Sequence, residues 1–273
     1  MTPDPKKVRV WEARAPAYDE LCRRYDIFSR LSNRLIDLLP QDLEGSVLDI
    51  GAGSGVTSSL VLDRYPRCDA ILVEPSEAMM NIARANLAGR PARFFVMGLD
   101  EAPAHGLHAC AAVASASMQF LDLAPAFETL AQVIAPRGHV AFNLWYHHWE
   151  ETAGEEGMSA WQDVARAACR NAHLELHEPA PVPQNAKTRK ELNDASRRHG
   201  FELLSEHRDE YPTPVAFGVD FQAMDQDWPV KGLDRKIREA LLKQMRELAH
   251  GQFENLISTR FLFQFSRIQD ERS

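Results

Sequence analysis

From residue 46 to residue 145 the chain alternates between two hydrophobic periods. Apolar runs of strand length (Ser46–Ile50, Asp69–Glu74, Ala92–Met97, Ala109–Ala116 and His139–Trp145) are separated by stretches with a helical spacing of apolar positions. Behind Ser76, a residue type that caps helices, Met79, Ile82, Ala83 and Leu87 line one side, and Gly89 stops the pattern. Phe127, Leu130, Ala131 and Ile134 do the same between Ala124 and Ala135, and Pro136-Arg137-Gly138 reads as a turn. The run Ala109–Ala116 is almost continuously apolar, as a strand covered on both faces must be. Strands that alternate with helices predict an α/β fold with a doubly wound, mostly parallel sheet.

The flanks break this rhythm. Trp11, Ala15 and Tyr18 share a helical face that Pro16 is expected to interrupt, and a stripe from Leu21 to Leu39 ends at Pro40. Residues 1–44 are therefore predicted as a helical cap ahead of an α/β domain at 45–273. After Trp145 the alternation stops. Residues 146–187 hold one helical piece, Ser159–Ala172, and a proline-rich stretch. Residues 212–255 hold aromatics read as loop residues (Phe217, Phe221, Trp228) and a charged helix, Leu233–His250. Both segments are expected to be helical lid inserts. Between them, Thr188-x-x-Glu191 is a capping box, so Thr188–His199 should be a helix, and Glu202–Tyr211 a sixth strand. Thr259–Arg267 alternates with period two and should be the seventh strand.

Composition narrows the picture. The chain has 273 residues, 45% hydrophobic, enough for a full core without a disulfide or metal staple. A formal charge of -8 argues against nucleic acid as partner. No apolar run is long enough to span a bilayer, and no signal-peptide core follows Met1–Val10, which predicts a cytoplasmic protein with no membrane partner. The four cysteines are scattered, without metal-ligand spacing, so no metal site is expected. Oligomeric state cannot be read from the sequence.

The first strand runs straight into chemistry. Asp49-Ile50-Gly51-Ala52-Gly53-Ser54-Gly55 places three glycines between an acid and a helix-forming stretch, where a ligand can lie against bare backbone. Glu74 closes the second strand about twenty residues further on, the usual offset of a carboxylate that holds ribose hydroxyls.

This spacing, Gly-x-Gly-x-Gly after an Asp, resembles the class I S-adenosylmethionine-dependent methyltransferases. Four further segments resemble the same family in the same order: Val73–Met79 at the second strand, Gly98–Pro103 at the adenine loop, Ser115–Asp122 at the fourth-strand exit and Ile134–Val140 before the fifth strand. The resemblance implies a Rossmann-like sheet of seven strands, with the last inserted antiparallel beside the fifth. It implies S-adenosyl-L-methionine as cofactor. Asp49 would brace the glycine loop and approach the methionine amine; Gly51, Gly53 and Gly55 would let the backbone meet the cofactor. Glu74 would take the ribose, with Pro75 and Ser76 beside the adenine. Asp100 would sit at the adenine amine with Leu99 as neighbour, at a position where the family more often has a polar residue. Ser115 and Gln119 would line the methionine end, and Tyr18 joins the cofactor set from the cap, with plain core packing as its alternative.

The acceptor side is less marked. The aromatic and histidine run after the fifth strand supplies Tyr146 and His147 as candidate catalytic residues; Asn143, polar inside an apolar strand, and Tyr211, at the end of the sixth, complete the set. Acidic balance and lid inserts favour methyl transfer to a small-molecule acceptor. One alternative is an enzyme of the same fold in which the cofactor's own amine displaces the thioether, giving a cyclic amino acid and methylthioadenosine. Another is a non-catalytic binding module.

Overall fold

The computed structural model describes residues 4–145, 159–176, 187–224, 232–252 and 255–269. Its strands are β1 (Gly45–Ile50), β2 (Cys68–Val73), β3 (Ala92–Phe95), β4 (Ala109–Ala114), β5 (Ile134–Trp145), β6 (Phe201–Pro214) and β7 (Asn255–Arg267). Its helices are α1 (Pro5–Arg24), α2 (Ile27–Ile36), α3 (Val56–Arg64), α4 (Glu77–Asn86), α5 (Leu123–Val133), α6 (Ser159–Asn171), α7 (Arg189–Arg198), α8 (Val215–Ala223) and α9 (Arg235–Gln252). The strands form one sheet in the order β3-β2-β1-β4-β5-β7-β6. β1 to β5 pair in parallel, and β7 runs antiparallel between β5 and β6.

Two apolar layers sandwich the sheet. On one face Leu48, Ile71, Ala112 and Phe142 meet Phe127 and Leu130 of α5 and Leu192 of α7. Phe142, Phe263 and Phe265 lie side by side across β5 and β7, with ring centroids 5.3 and 5.7 Å apart. Cross-strand aromatic pairs of this kind fix the register of an antiparallel strand. On the other face Val47, Ala111 and Leu262 meet Leu35 and Ile36 of α2 and Val61 of α3. Ala70 and Leu72 meet Met80 and Ala83 of α4. The sheet order reverses between β1 and β4, and the crevice opened there is where open α/β sheets bind ligands.

Three local expectations are corrected. Pro16 lies inside α1 without ending it; the break comes instead at Tyr25-Asp26. The missing amide of a mid-helix proline costs about 3 kcal/mol, and docking on α4 holds the helix on both sides of it. Before Pro16, Glu12 accepts from the amides of Glu77 and Ala78, at 2.6 and 3.3 Å. After it, Asp19 accepts from Asn86 at 3.1 Å. Residues 134–138 are not a separate turn but the start of β5, which kinks at Arg137 (φ 63°). Phe217 and Phe221 lie on α8, not in a loop. Asp220 on the same helix is held by Tyr25 at 2.7 Å, by Arg24 at 3.1 Å and by Arg246 of α9. Tertiary anchoring thus overrides a glycine-containing, weakly helical segment. Trp228 lies outside the described residues.

The helices of the two inserts share a small core. Ala165 and Cys169 of α6, Val219 of α8 and Leu241 and Met245 of α9 are all buried together. Through α8 this unit joins the N-terminal helices: Phe217 packs on Tyr25 and Phe28, at 5.4 and 5.8 Å. α1, α2 and α8 thereby form one roof.

Candidate active site

A cavity of about 280 Å³ opens at the carboxyl ends of β1, β2 and β4. Its wall begins with the glycine turn. Gly51, Gly53 and Gly55 all have left-handed backbones (φ 66°, 55° and 85°), a region closed to most side chains. Gly51 and Gly53 line the cavity; Gly55 does not. A Cβ on Gly55 would press on Leu87 and Ala83 of α4, at 3.2 and 3.3 Å, so its bareness serves helix packing at the N-cap of α3.

Glu74 holds this turn from the side. One carboxylate oxygen accepts from the Gly53 amide at 3.0 Å and the other from the Ser76 amide at 2.9 Å. Each oxygen keeps a further lone pair for a donor in the cavity. Burial raises the Glu74 pKa, and the two amides oppose that rise. Ser76 itself does not line the cavity: its hydroxyl accepts from the Met79 amide at 3.2 Å and caps α4. Pro75, Leu99, Asp100 and Ser115 do line it, and Leu99, Met97 and Ala126 add apolar surface to the lining.

Asp49 stands behind the turn, outside the cavity lining, and accepts from the Ser58 hydroxyl at 2.7 Å. Burial pushes its pKa up to about 7; the Ser58 contacts lower it and the nearby Glu74 raises it. An unfolded Asp titrates near ~4. Between these pH values the folded chain binds more protons than the unfolded one, so this group makes the cofactor-free protein less stable as pH rises from about 4 to 7. A cation placed in the cavity favours the carboxylate. Binding of S-adenosylhomocysteine, whose amino-acid ammonium carries such a charge, should therefore release a proton at pH 6, and affinity should rise towards pH 8. Calorimetry in two buffers of different ionisation enthalpy reads this directly, and D49N should abolish the difference. Equal heats in both buffers for the native protein would remove Asp49 from the binding reaction.

The roof comes from α1. Tyr18 lies against Gly53, where an added Cβ would meet its ring at 3.7 Å. Its ring packs on Phe28 at 5.1 Å and on Trp11 at 5.7 Å, and Trp11 reaches Phe120 across the opening at 6.3 Å. Burial pushes the Tyr18 phenol well above its ordinary value, so its hydroxyl stays neutral.

Other candidate residues lie elsewhere. Asn143 and Gln119 are buried but do not line the cavity. Tyr211 faces a separate groove between α2 and β6, where its hydroxyl donates to Asp209 at 3.3 Å; β6 runs three residues beyond the expected strand end and carries Tyr211 there. Tyr211 does not line the cavity, although its ring packs in the same apolar cluster as Tyr18 and Trp145. Tyr146 and His147 lie outside the described residues. Sequence reasoning gave no site role to Ala116, Ser117, Trp11 or Phe120, all of which line the cavity. The quoted segment Ser115–Asp122 already contained three of them.

The set fits S-adenosylmethionine. Glu74 presents two anionic acceptors beside a glycine turn, the apolar lining from Met97, Leu99 and Ala126 suits a purine, and Gly51 and Gly53 carry no side chain of their own into the cavity. The cofactor would supply an electrophilic methyl on a sulfonium; the residues here would bind and orient it and exclude water.

A seven-stranded sheet of this order, with an antiparallel β7 and a glycine turn after β1, is the Rossmann-like fold of class I S-adenosylmethionine-dependent methyltransferases. Residues 47–138 match the family model described as a methyltransferase domain. Among curated relatives, the malonyl-[acyl-carrier protein] O-methyltransferase of Acetivibrio thermocellus is 26% identical over 132 residues, 46% of each chain. A trans-aconitate 2-methyltransferase of an Acidovorax species is 33% identical over 136 residues, 47% of this chain and 51% of that one. The chain thus spans about half the length of the curated relatives it matches. A solved geranyl diphosphate methyltransferase superposes over 88% of this chain and 78% of its own, with TM-score 0.53 and 18% identity. A cyclopropane synthase from Mycobacterium tuberculosis covers 86% and 82%, with TM-score 0.54 and 12% identity. These structural likenesses concern the fold.

Proposed function

We propose that the protein transfers the methyl group of S-adenosylmethionine to a small-molecule acceptor. The observation that carries this is the aromatic roof of the cavity: Tyr18 and Trp11 of α1 line it, Phe28 packs on Tyr18, and Phe217 packs on Phe28. An aromatic roof excludes water from a sulfonium and attracts its charge. The two curated relatives are named for malonyl and trans-aconitate acceptors, which supports a carboxylic acid as the first class to try. A carboxylate is already deprotonated near neutral pH, so alignment with the methyl suffices and a dedicated base is unnecessary.

The test is conversion of S-adenosylmethionine to S-adenosylhomocysteine with a panel of di- and tricarboxylic acids, alcohols, amines and prenyl diphosphates. Acceptor-dependent formation of homocysteine product is the expected result. Tight cofactor binding without such product from any acceptor would sink the proposal. A cofactor-only incubation that yields methylthioadenosine would replace it with the intramolecular reaction.

A further inference from the structure

Behind the cavity wall, two buried side-chain amides converge on the backbone of one residue. Ala116 sits in the turn after β4, between Ser115 and Ser117, and all three residues line the cavity. Its backbone is left-handed (φ 58°), a conformation that an alanine rarely adopts. The Ala116 amide donates to Asn143 Oδ1 at 2.8 Å, reaching across from β5. The Ala116 carbonyl accepts from Gln119 Nε2 at 2.6 Å. These two bonds dictate how each amide is turned: Asn143 must present its oxygen and Gln119 its nitrogen.

That orientation leaves the other half of each amide without a partner. Asn143 Nδ2 and Gln119 Oε1 are both buried and make no hydrogen bond among the described residues; Asn143 is fully buried and Gln119 is 9% exposed. A donor and an acceptor left unpaired in the interior are each costly, and so is the strained alanine. Three unfavourable features thus meet at one residue in the floor of the cavity. The residues either side of Ala116 are tied to other elements. Ser117 donates to the Ile50 carbonyl, next to the glycine turn, at 2.5 Å, and Ser115 accepts from Ser32 of α2 at 3.2 Å.

We propose that Asn143 and Gln119 are positioning residues that clamp the Ala116 peptide in its left-handed form and so set the cavity floor against the glycine turn for the cofactor. This rests on the cofactor assignment above. It gives Asn143 a place in the reaction without contact to the acceptor, and it takes Gln119 out of the cavity lining while keeping it necessary for binding.

The clamp makes a prediction that simple packing does not. If Asn143 matters only because it holds Ala116, a residue that tolerates the left-handed form unaided should relieve the need for it. N143A is expected to raise the dissociation constant for S-adenosylhomocysteine about tenfold, measured by calorimetry. Adding A116G to N143A should recover most of that loss, although it fills no cavity and replaces no hydrogen bond. Q119L reads the same clamp through the carbonyl, with the same rescue by A116G, and serves if N143A does not fold. Binding within twofold of the native protein in folded N143A and Q119L, or a loss that A116G leaves untouched, would overturn the clamp. If the native protein itself fails to bind S-adenosylhomocysteine, the cofactor assignment falls instead, and the two failures are distinct.

Discussion

Glu74→Gln is expected to weaken S-adenosylhomocysteine binding by about 100-fold or more, with little change in thermal stability. The native carboxylate accepts from the Gly53 and Ser76 amides with one lone pair on each oxygen. The second lone pairs are the ones a ribose diol would use. A hydrogen bond to a charged acceptor contributes about 1.5–3 kcal/mol, and roughly 1.4 kcal/mol is a tenfold change in affinity, so losing two gives at least that factor. Glutamine also has to turn an NH2 group towards either Gly53 or Ser76, donor against donor, which loosens the glycine turn. Stability should move less. Burial already disfavours the Glu74 charge, so its removal offsets part of the lost bonding. The defect should be as large for methylthioadenosine, which keeps the ribose and lacks the amino-acid end. Calorimetry with both ligands checks this. A defect confined to S-adenosylhomocysteine would move Glu74 from the ribose to the methionine end.

The parts of this site legible in the sequence are those whose chemistry is local. Asp49, the glycine turn and Glu74 sit at strand ends fixed by apolar periodicity, and the parallel pairing of β1 with β2 brings the two strand ends level. The capping box at Thr188 appears in the fold as written, with Thr188 and Glu191 bonded reciprocally. The antiparallel β7 was implied only by resemblance, and its phenylalanines now show why it holds: they stack on Phe142 from the facing strand.

What could not be read depends on contacts distant in sequence. Asn143 is a polar residue in a buried strand, and its partner Ala116 is 27 positions away, so its spacing discloses nothing of the clamp. The continuity of α1 through Pro16 rests on Glu12 capping α4, 65 residues on. Tyr211 reads as an active-site residue because it ends a strand, yet it lines the groove between α2 and β6, where its hydroxyl bonds the Asp209 that Arg34 also holds. In each case the deciding neighbour belongs to another element, and propensity along the chain has no access to it.

Gly51→Ala should be the most destabilising of the three substitutions Gly51→Ala, Gly53→Ala and Gly55→Ala. All three positions have positive φ, so each alanine bears a backbone cost of about 1–2 kcal/mol. The surroundings separate them. A Cβ at Gly53 meets nothing nearer than the Tyr18 ring at 3.7 Å, an ordinary contact. At Gly55 it meets α4 side chains at 3.2 and 3.3 Å, which can shift slightly. At Gly51 it falls 2.6 Å from Ser117 Cβ, and Ser117 cannot withdraw because its hydroxyl is bonded to the Ile50 carbonyl. Overpacking of that kind costs about 1–3 kcal/mol more, and the floor and the glycine turn, between which the cofactor would bind, are forced apart. G51A should therefore lose about 2–5 kcal/mol by denaturant titration and lose cofactor binding with it. S117G in the same chain removes the opposing Cβ, and should return the steric share of the stability while leaving the backbone share lost. A G51A protein as stable as G53A would show that Ser117 moves freely, and the close docking of floor on turn would have to be abandoned.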